Sequence, residues 1–230
     1  MFGRITKATC LLMTLSSIAL AEPVTPETGS NGGVPATDQP DLVSMEQPLL
    51  GDRWTYEIRD EITGNLKFTS TQLVTDVTPN EISIRMETLG NPGAGFYVYD
   101  HSWNLKVSPN WKYTPNDGTG IKAPLKVGAN WKFQGNDQFP SKGISYQRVG
   151  TSKVVGEESI TTKAGTFKTF RIETNSSSRN ANDPTKKNEL AATNWYAPAI
   201  DHFVKRTSKI LSDGHVNEIT TMELVEYGRR

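Results

Sequence analysis

Hydrophobic and polar residues alternate with a period of two through much of the chain. Trp54, Tyr56 and Ile58 occupy every second position of residues 53–59, and residues 82–87 repeat the pattern. Successive side chains of a strand point to opposite faces, so this alternation is typical of strands with one buried face. No window of a dozen residues keeps apolar positions at helical spacing without interruption by Gly, Pro or Thr. The pattern therefore predicts an all-β fold, an antiparallel meander forming a curved sheet, a sandwich or a half-open barrel.

Turn-forming residues mark where the predicted strands end. Ala164-Gly165 and Asp213-Gly214 stand between alternating segments, so each predicts a tight hairpin. Other breaks are predicted at residues 64–65, 79–80, 90–95 and 135–137, and a polar loop at 175–188. Residues 100–123 are the least regular part of the predicted sheet.

One turn-and-strand segment occurs twice. Pro48 to Tyr56 reads PLLGDRWTY and Pro124 to Phe133 reads PLKVGANWKF, and both contain Gly-x-x-Trp-x-aromatic. The glycine permits a bend, after which the two aromatic side chains fall on one face of a strand. This repetition predicts two similar halves, residues 46–120 and 121–228, within a single all-β domain of residues 46–228. Independent use of a common turn is the alternative.

The first 45 residues contain two segments without strand signals. Residues 1–21 combine Arg4, Lys7 and an apolar run of about a dozen residues, which predicts a secretory signal peptide and is too short to span a membrane. Residues 22–45 are rich in Pro, Gly, Thr and Ser, so we expect a flexible linker. The expected location is the periplasm or the extracellular medium.

Cysteine and charge narrow the possible functions. Cys10, the only cysteine, lies too early in the apolar run for a lipoprotein signal and is lost with the signal peptide, so no disulfide or thiolate metal site is expected. The remaining chain has two more acidic than basic residues. It therefore lacks the basic excess that nucleic-acid binding requires.

No group of residues suggests catalysis or a cofactor. His101, His202 and His215 lack the spacing of metal ligands, and no nucleophile elbow or phosphate-binding glycine loop is present. Asn116-Asp117-Gly118 lacks the acidic ligands of a calcium loop and predicts a turn. We therefore predict no catalytic residue, cofactor or metal, and only a hydrolase with an unrecognised site remains as an enzymatic alternative.

A set of short motifs resembles a known group of proteins. In chain order they are Val154-Val155-Gly156-Glu157, Ala164-Gly165-Thr166-Phe167, Arg171-Ile172-Glu173, Trp195-Tyr196-Ala197-Pro198 and Val204-Lys205-Arg206. Together they resemble uncharacterised exported bacterial proteins, a domain-of-unknown-function family with an AGTF turn and with WYxP and VK strands. The resemblance implies an antiparallel β fold at the cell envelope, and it brings no catalytic residues.

Two classes of function remain. One is a binding or interaction module in which the aromatic residues fill a solid core. The other is a carrier of a lipid, glycan or other apolar ligand. The expected partner is therefore a lipid, a glycan or another envelope protein. An interior cavity above about 300 Å³ would favour the carrier. In that case Trp54, Tyr56, Trp131, Phe133 and Trp195 are expected to line the inside, and Trp103, Trp111 and Tyr113 to lie at the mouth.

Overall fold

The computed structural model describes residues 45–115 and 119–229. The predicted signal peptide, all of the predicted linker except Met45, and the predicted turn at Asn116-Asp117-Gly118 lie outside these residues. Met45 is buried, and its N–H donates to the Ala199 carbonyl over 2.7 Å. Met45 is therefore packed against the folded part of the chain.

Twelve strands make up the described residues together with short turns. They are β1 (Arg53–Asp60), β2 (Leu66–Val77), β3 (Ile82–Thr88), β4 (Asn91–Tyr99), β5 (Leu105–Ser108), β6 (Trp111–Thr114), β7 (Asn130–Phe139), β8 (Ile144–Thr162), β9 (Gly165–Asn180), β10 (Lys187–Ala197), β11 (His202–Ser212) and β12 (His215–Gly228). Two single-turn 3-10 helices, Pro140–Lys142 and Pro198–Ile200, complete the regular structure. No helix of the described residues is long and apolar enough to cross a membrane.

Each strand pairs antiparallel with its neighbours in sequence, and β1 pairs with β12 to close a barrel. The predicted all-β antiparallel meander is confirmed, and within the described residues the sheet has no open edge. Closure satisfies the N–H and C=O groups that an edge strand would expose. The predicted hairpins are confirmed as well: Thr162 pairs with Gly165, and Ser212 pairs with His215.

Several segments predicted as breaks or loops are strands. Residues 91–95 begin β4, residues 135–137 lie inside β7, and much of the predicted loop 175–188 belongs to β9 and β10. These segments are polar, but both neighbours in the barrel wall supply ladder partners, so Ser176 pairs with Gly150 and Leu190. The short strands β5 and β6 lie within the irregular region 100–123. Tertiary pairing overrides local composition here.

The hydrophobic core fills one end of the barrel. Because neighbouring strands are antiparallel, all odd-numbered strands begin at this end, which we call the packed end. The buried residues of the core include Trp54 and Tyr56 of β1, Trp131 of β7 and Val154 of β8. Toward the other end, which we call the mouth end, inward positions carry many polar side chains, such as Ser176, and the interior is less filled.

Candidate functional site

A neutral histidine lies at the boundary between the core and the rest of the interior. The His202 ring is 4.4 Å from the Trp54 ring and 4.6 Å from the Trp103 ring, measured between centroids. Burial among these rings lowers the pKa of His202 to about 3. His202 is therefore uncharged at neutral pH.

The hydrogen bonds of His202 fix its orientation. Its Nδ1 accepts the Phe203 N–H over 2.9 Å and lies 3.0 Å from the Tyr56 hydroxyl, which donates to the Phe203 carbonyl over 2.8 Å. Because Nδ1 accepts, we assign the proton of the neutral ring to Nε2. This Nε2 is buried and has no partner among the described residues.

An inner cavity of about 460 Å³ lies beside His202. It extends from Trp103 and His202, at the boundary of the core, toward the mouth end. Its wall is contributed by Gln72, Met86, Tyr99, Trp103, Leu105, Tyr113, Thr119, Phe133, Arg148, Thr174, Ser176, Leu190, Asn194, His202, Phe203, Arg206 and Met222. Apolar and polar side chains are thus present in similar numbers, which suits a ligand with both kinds of surface.

Two arginines line this cavity, and their surroundings differ. Arg148 forms an ion pair with Asp137, 3.0 Å between Nη2 and Oδ1, and its guanidinium lies 5.7 Å from the centre of the Tyr113 ring. Arg206 forms no ion pair within the described part of the chain. Burial lowers the pKa of Arg206 and raises that of Tyr99, with which it interacts electrostatically. The tyrosine is therefore neutral, and the charge of Arg206 is not compensated by it.

A second cavity of about 390 Å³ lies nearer the mouth end, and we call it the outer cavity. Tyr113 lines both cavities, so they are adjacent along the interior. The outer cavity has an aromatic wall in which the Trp111 ring lies 5.1 Å from Phe139 and 6.1 Å from Tyr146. Lys142, in the turn between β7 and β8, lies at its rim.

A concavity of about 810 Å³ lies outside the barrel. Lys132, Gln134, Val149 and Thr151 line it, and they alternate with the inward residues of β7 and β8. It is an open depression on the outer face of the twisted sheet. Such a surface encloses a ligand less than the inner cavity does, so the inner cavity, together with the outer cavity that adjoins it, is the better candidate site.

The structure separates the aromatic residues that were predicted as one ligand-binding set. Trp54, Tyr56 and Trp131 belong to the packed core. Trp103 and Phe133 are buried between the core and the inner cavity. The prediction that Trp103 lies at the mouth is therefore wrong, because its ring packs 5.8 Å from Trp54 in the core. Tyr113 lines both cavities and Trp111 the outer one.

The predicted inward position of Trp195 is wrong. On β10 the buried residues Asn194 and Tyr196 point inward, so Trp195 between them points outward. There its Nε1 donates to Glu158 over 2.9 Å, and the Lys205 ammonium lies 5.8 Å from the ring centre. The indole is thus part of a polar cluster on the outer surface.

Sequence reasoning missed Tyr99, Arg148, His202 and Arg206 as residues of the site. A usable signal existed for two of them, because His202 and Arg206 are in phase with the apolar Val204 on β11. The three histidines do not come together. His101 contacts the Thr78 carbonyl at the surface, and no group of three potential metal ligands lies close together within residues 45–115 and 119–229.

The comparisons with known proteins find a family of unknown function and solved structures of uncharacterised proteins. The sequence model of the DUF3108-like family matches residues 130–207, about a third of the chain. This match confirms the resemblance to a domain-of-unknown-function family and does not test the individual motifs. All five quoted motifs lie inside the matched range. No curated protein matches the sequence.

Three solved structures are similar in fold. A predicted lipoprotein from Parabacteroides distasonis is 14% identical with a TM-score of 0.51, and the match covers 80% of this chain and 99% of that one. The hypothetical lipoprotein YmcC from Escherichia coli is 14% identical with a TM-score of 0.48, covering 80% and 88%. A predicted exported protein with a YmcC-like fold from Bacteroides fragilis is 13% identical with a TM-score of 0.40, covering 81% and 100%. At such identities the first likeness, with its TM-score above 0.5, concerns the fold alone.

Proposed function

We propose that this protein is an exported, non-catalytic binding protein of the cell envelope that takes up a small amphipathic or apolar ligand inside its barrel. The observation that carries the proposal is the inner cavity of about 460 Å³. Cavities that bind small ligands usually measure about 300–1,000 Å³ and combine an apolar wall with a few polar groups. The envelope location rests on the predicted signal peptide of residues 1–21.

A lipid-like ligand is favoured over a glycan by the composition of the interior. Met86, Leu190 and Met222 supply flexible apolar surface to the inner cavity. Trp111 and Phe139 extend an apolar wall into the outer cavity. A sugar would leave much of this surface without a hydrophobic partner, whereas an acyl chain would cover it.

Native mass spectrometry tests the proposal on protein purified from a periplasmic extract without detergent. We expect a reproducible adduct of a few hundred daltons, about the mass of a ligand that such a cavity holds. The variant Ser176→Trp should lose the adduct, because residue 176 points into the inner cavity. Ser177→Trp is the matched control, since residue 177 lies on the outer side of the same strand.

A binding titration covers the case in which the ligand is lost during purification. The neutral apolar dye N-phenyl-1-naphthylamine should bind saturably to the wild type and to Ser177→Trp, and weakly to Ser176→Trp. Equal unfolding midpoints of the two variants would show that both barrels are intact. Absence of an adduct together with absence of dye binding would favour an interaction module with a structural interior, and would refute the carrier.

A further inference from the structure

The inner cavity carries an excess of positive charge. Arg148 and Arg206 line it, and no Asp or Glu is among its described lining residues. Asp137, which lines the adjacent outer cavity, is the ion-pair partner of Arg148. One positive charge is therefore compensated and the other is not.

Arg206 has no internal compensation among the described residues. Its neighbours in the ladder are Asn194 on β10 and Met222 on β12, neither of which carries a charge. Tyr99, on another part of the wall, is neutral because burial raises the pKa of its hydroxyl. Removing a cation from bulk water without an opposite charge is expensive, so proteins rarely keep one in an interior without a use.

Other donors line the same cavity. The side-chain amide of Asn194, the ladder neighbour of Arg206, lines it and is able to donate, and so is the Tyr99 hydroxyl, which is neutral because burial raises its pKa. A guanidinium and two neutral donors match a group that only accepts hydrogen bonds, such as a carboxylate or a phosphate. The same wall contains Met86, Leu190 and Met222 for an apolar chain, which the outer cavity extends.

We infer that the ligand is a single-chain amphiphile with an acidic head group, which binds with its head at Arg206 and its chain along the inner and outer cavities. The inference rests on the proposed function, since it names the class of ligand that the interior takes up. The acidic head supplies the missing negative charge, and Asn194 and Tyr99 donate to its remaining oxygen lone pairs. The chain covers the apolar wall.

Isothermal titration with four matched probes tests the inference. Dodecanoate and dodecyl phosphate carry an acidic head, dodecanol carries the same chain without charge, and acetate carries the head without the chain. We expect dodecanoate or dodecyl phosphate to bind at least about 10-fold more tightly than dodecanol, because a hydrogen bond to a charged group is worth more than a neutral one. Acetate should bind far more weakly than either.

The variant Arg206→Gln locates the head group. It should weaken binding of the acidic amphiphile by about 10- to 100-fold and leave dodecanol binding nearly unchanged. Lys205→Gln is the matched control, because Lys205 is the adjacent residue on β11 and its ammonium lies outside, 3.8 Å from Glu223. This control should bind all probes as the wild type does.

Thermal unfolding of the ligand-free proteins provides a second readout. Arg206→Gln should unfold at the same temperature as the wild type or higher, because it removes a charge without a partner. A marked fall in its unfolding temperature would show that Arg206 has a structural partner, and would overturn the inference.

The outcomes separate this inference from the proposed function. Equal binding of dodecanol and dodecanoate, unaffected by Arg206→Gln, overturns the acidic head but leaves the carrier intact. Acetate binding as tight as dodecanoate binding overturns the amphiphile in favour of a small anion. Failure of every probe and of the neutral dye overturns both proposals.

Discussion

Gly51 and Gly128 adopt the same left-handed backbone conformation at the starts of β1 and β7, with φ angles of 92° and 88°. Each donates its N–H over 2.9 Å to the carbonyl of a buried valine on the next strand, Val74 or Val154. Each valine returns a 2.8 Å bond to the residue after the glycine. The two segments that share a sequence pattern therefore share their backbone hydrogen bonds.

The similarity continues along both halves of the barrel. Each valine is followed by a register shift, between Val74 and Asp76 on β2 and between Val154 and Gly156 on β8. These shared positions support the predicted relation between strands β1–β6 and strands β7–β12. An origin by duplication stays a prediction.

Substitution of Gly128 tests whether the left-handed turn is required. A Cβ on Gly128 would meet no atom within 4 Å, so the cost of Gly128→Ala comes from the backbone conformation and not from a clash. We expect a loss of about 1–2 kcal/mol in the free energy of unfolding, measured by urea denaturation. Gly128→Asn should lose less, because asparagine tolerates this conformation better. Equal stability of all three proteins would contradict the assignment.

The aromatic pair after these glycines is predicted to hold the packed end together. Trp54 is fully buried and Trp131 is 5% exposed. Each of Trp54→Ala and Trp131→Ala should lower the free energy of unfolding by about 3–5 kcal/mol in urea denaturation. Trp111→Ala, in the outer cavity, should cost much less. A loss below about 1 kcal/mol at both core positions would refute their structural role.

Local patterns were sufficient to predict the parts of the fold that local chemistry controls. The alternation of Trp54, Tyr56 and Ile58 predicted β1, and Asp213-Gly214 predicted a hairpin whose two central residues have φ angles of 50° and 83°. The pairing of β1 with β12 joins residues about as far apart as the described chain allows, and no local pattern reveals it. Closure of the barrel could therefore not be predicted from the sequence.

The candidate site was less predictable than the fold for two physical reasons. A cavity is the difference between the volume that a barrel encloses and the volume of its side chains, and sequence alone does not give that difference. The polarity of Ser176 and its neighbours also predicts a loop, whereas these residues belong to β9 and several of them point inward. These polar residues line the cavity, and they do not mark the end of a strand.

Gly150 provides the space for an aromatic side chain between the core and the cavity. A Cβ on Gly150 would lie 2.2 Å from Cζ of Phe133 and 2.7 Å from Cβ of Ser176. Gly150→Ala should therefore displace Phe133 and lower the free energy of unfolding by about 1–3 kcal/mol, measured by chemical denaturation.

Gly156, on the same strand, is the control for Gly150. A Cβ there would meet no atom within 4 Å, so Gly156→Ala should change the free energy of unfolding by no more than about 0.5 kcal/mol. If both variants lost the same free energy of unfolding, the loss would arise from replacing any glycine in a strand, and the contact with Phe133 would not be its cause.

His202 is predicted to make stability depend on pH. In the folded protein its pKa is about 3, whereas in the unfolded chain it is near the ordinary value of 6.5. Between these values the unfolded state binds a proton that the folded state does not, so stability falls as the pH is lowered. From pH 7 to pH 5 this single group should remove about 2 kcal/mol from the free energy of unfolding.

Urea denaturation at a series of pH values, compared between the wild type and His202→Gln, isolates this contribution. The variant is expected to be less stable at pH 7 and to lose about 2 kcal/mol less than the wild type on going to pH 5. Asp137, whose pKa is raised by burial, titrates in both proteins and cancels in the comparison. Parallel profiles for wild type and His202→Gln would mean that His202 takes up its proton in the folded barrel, and that the ring is not held neutral against Trp54 and Trp103.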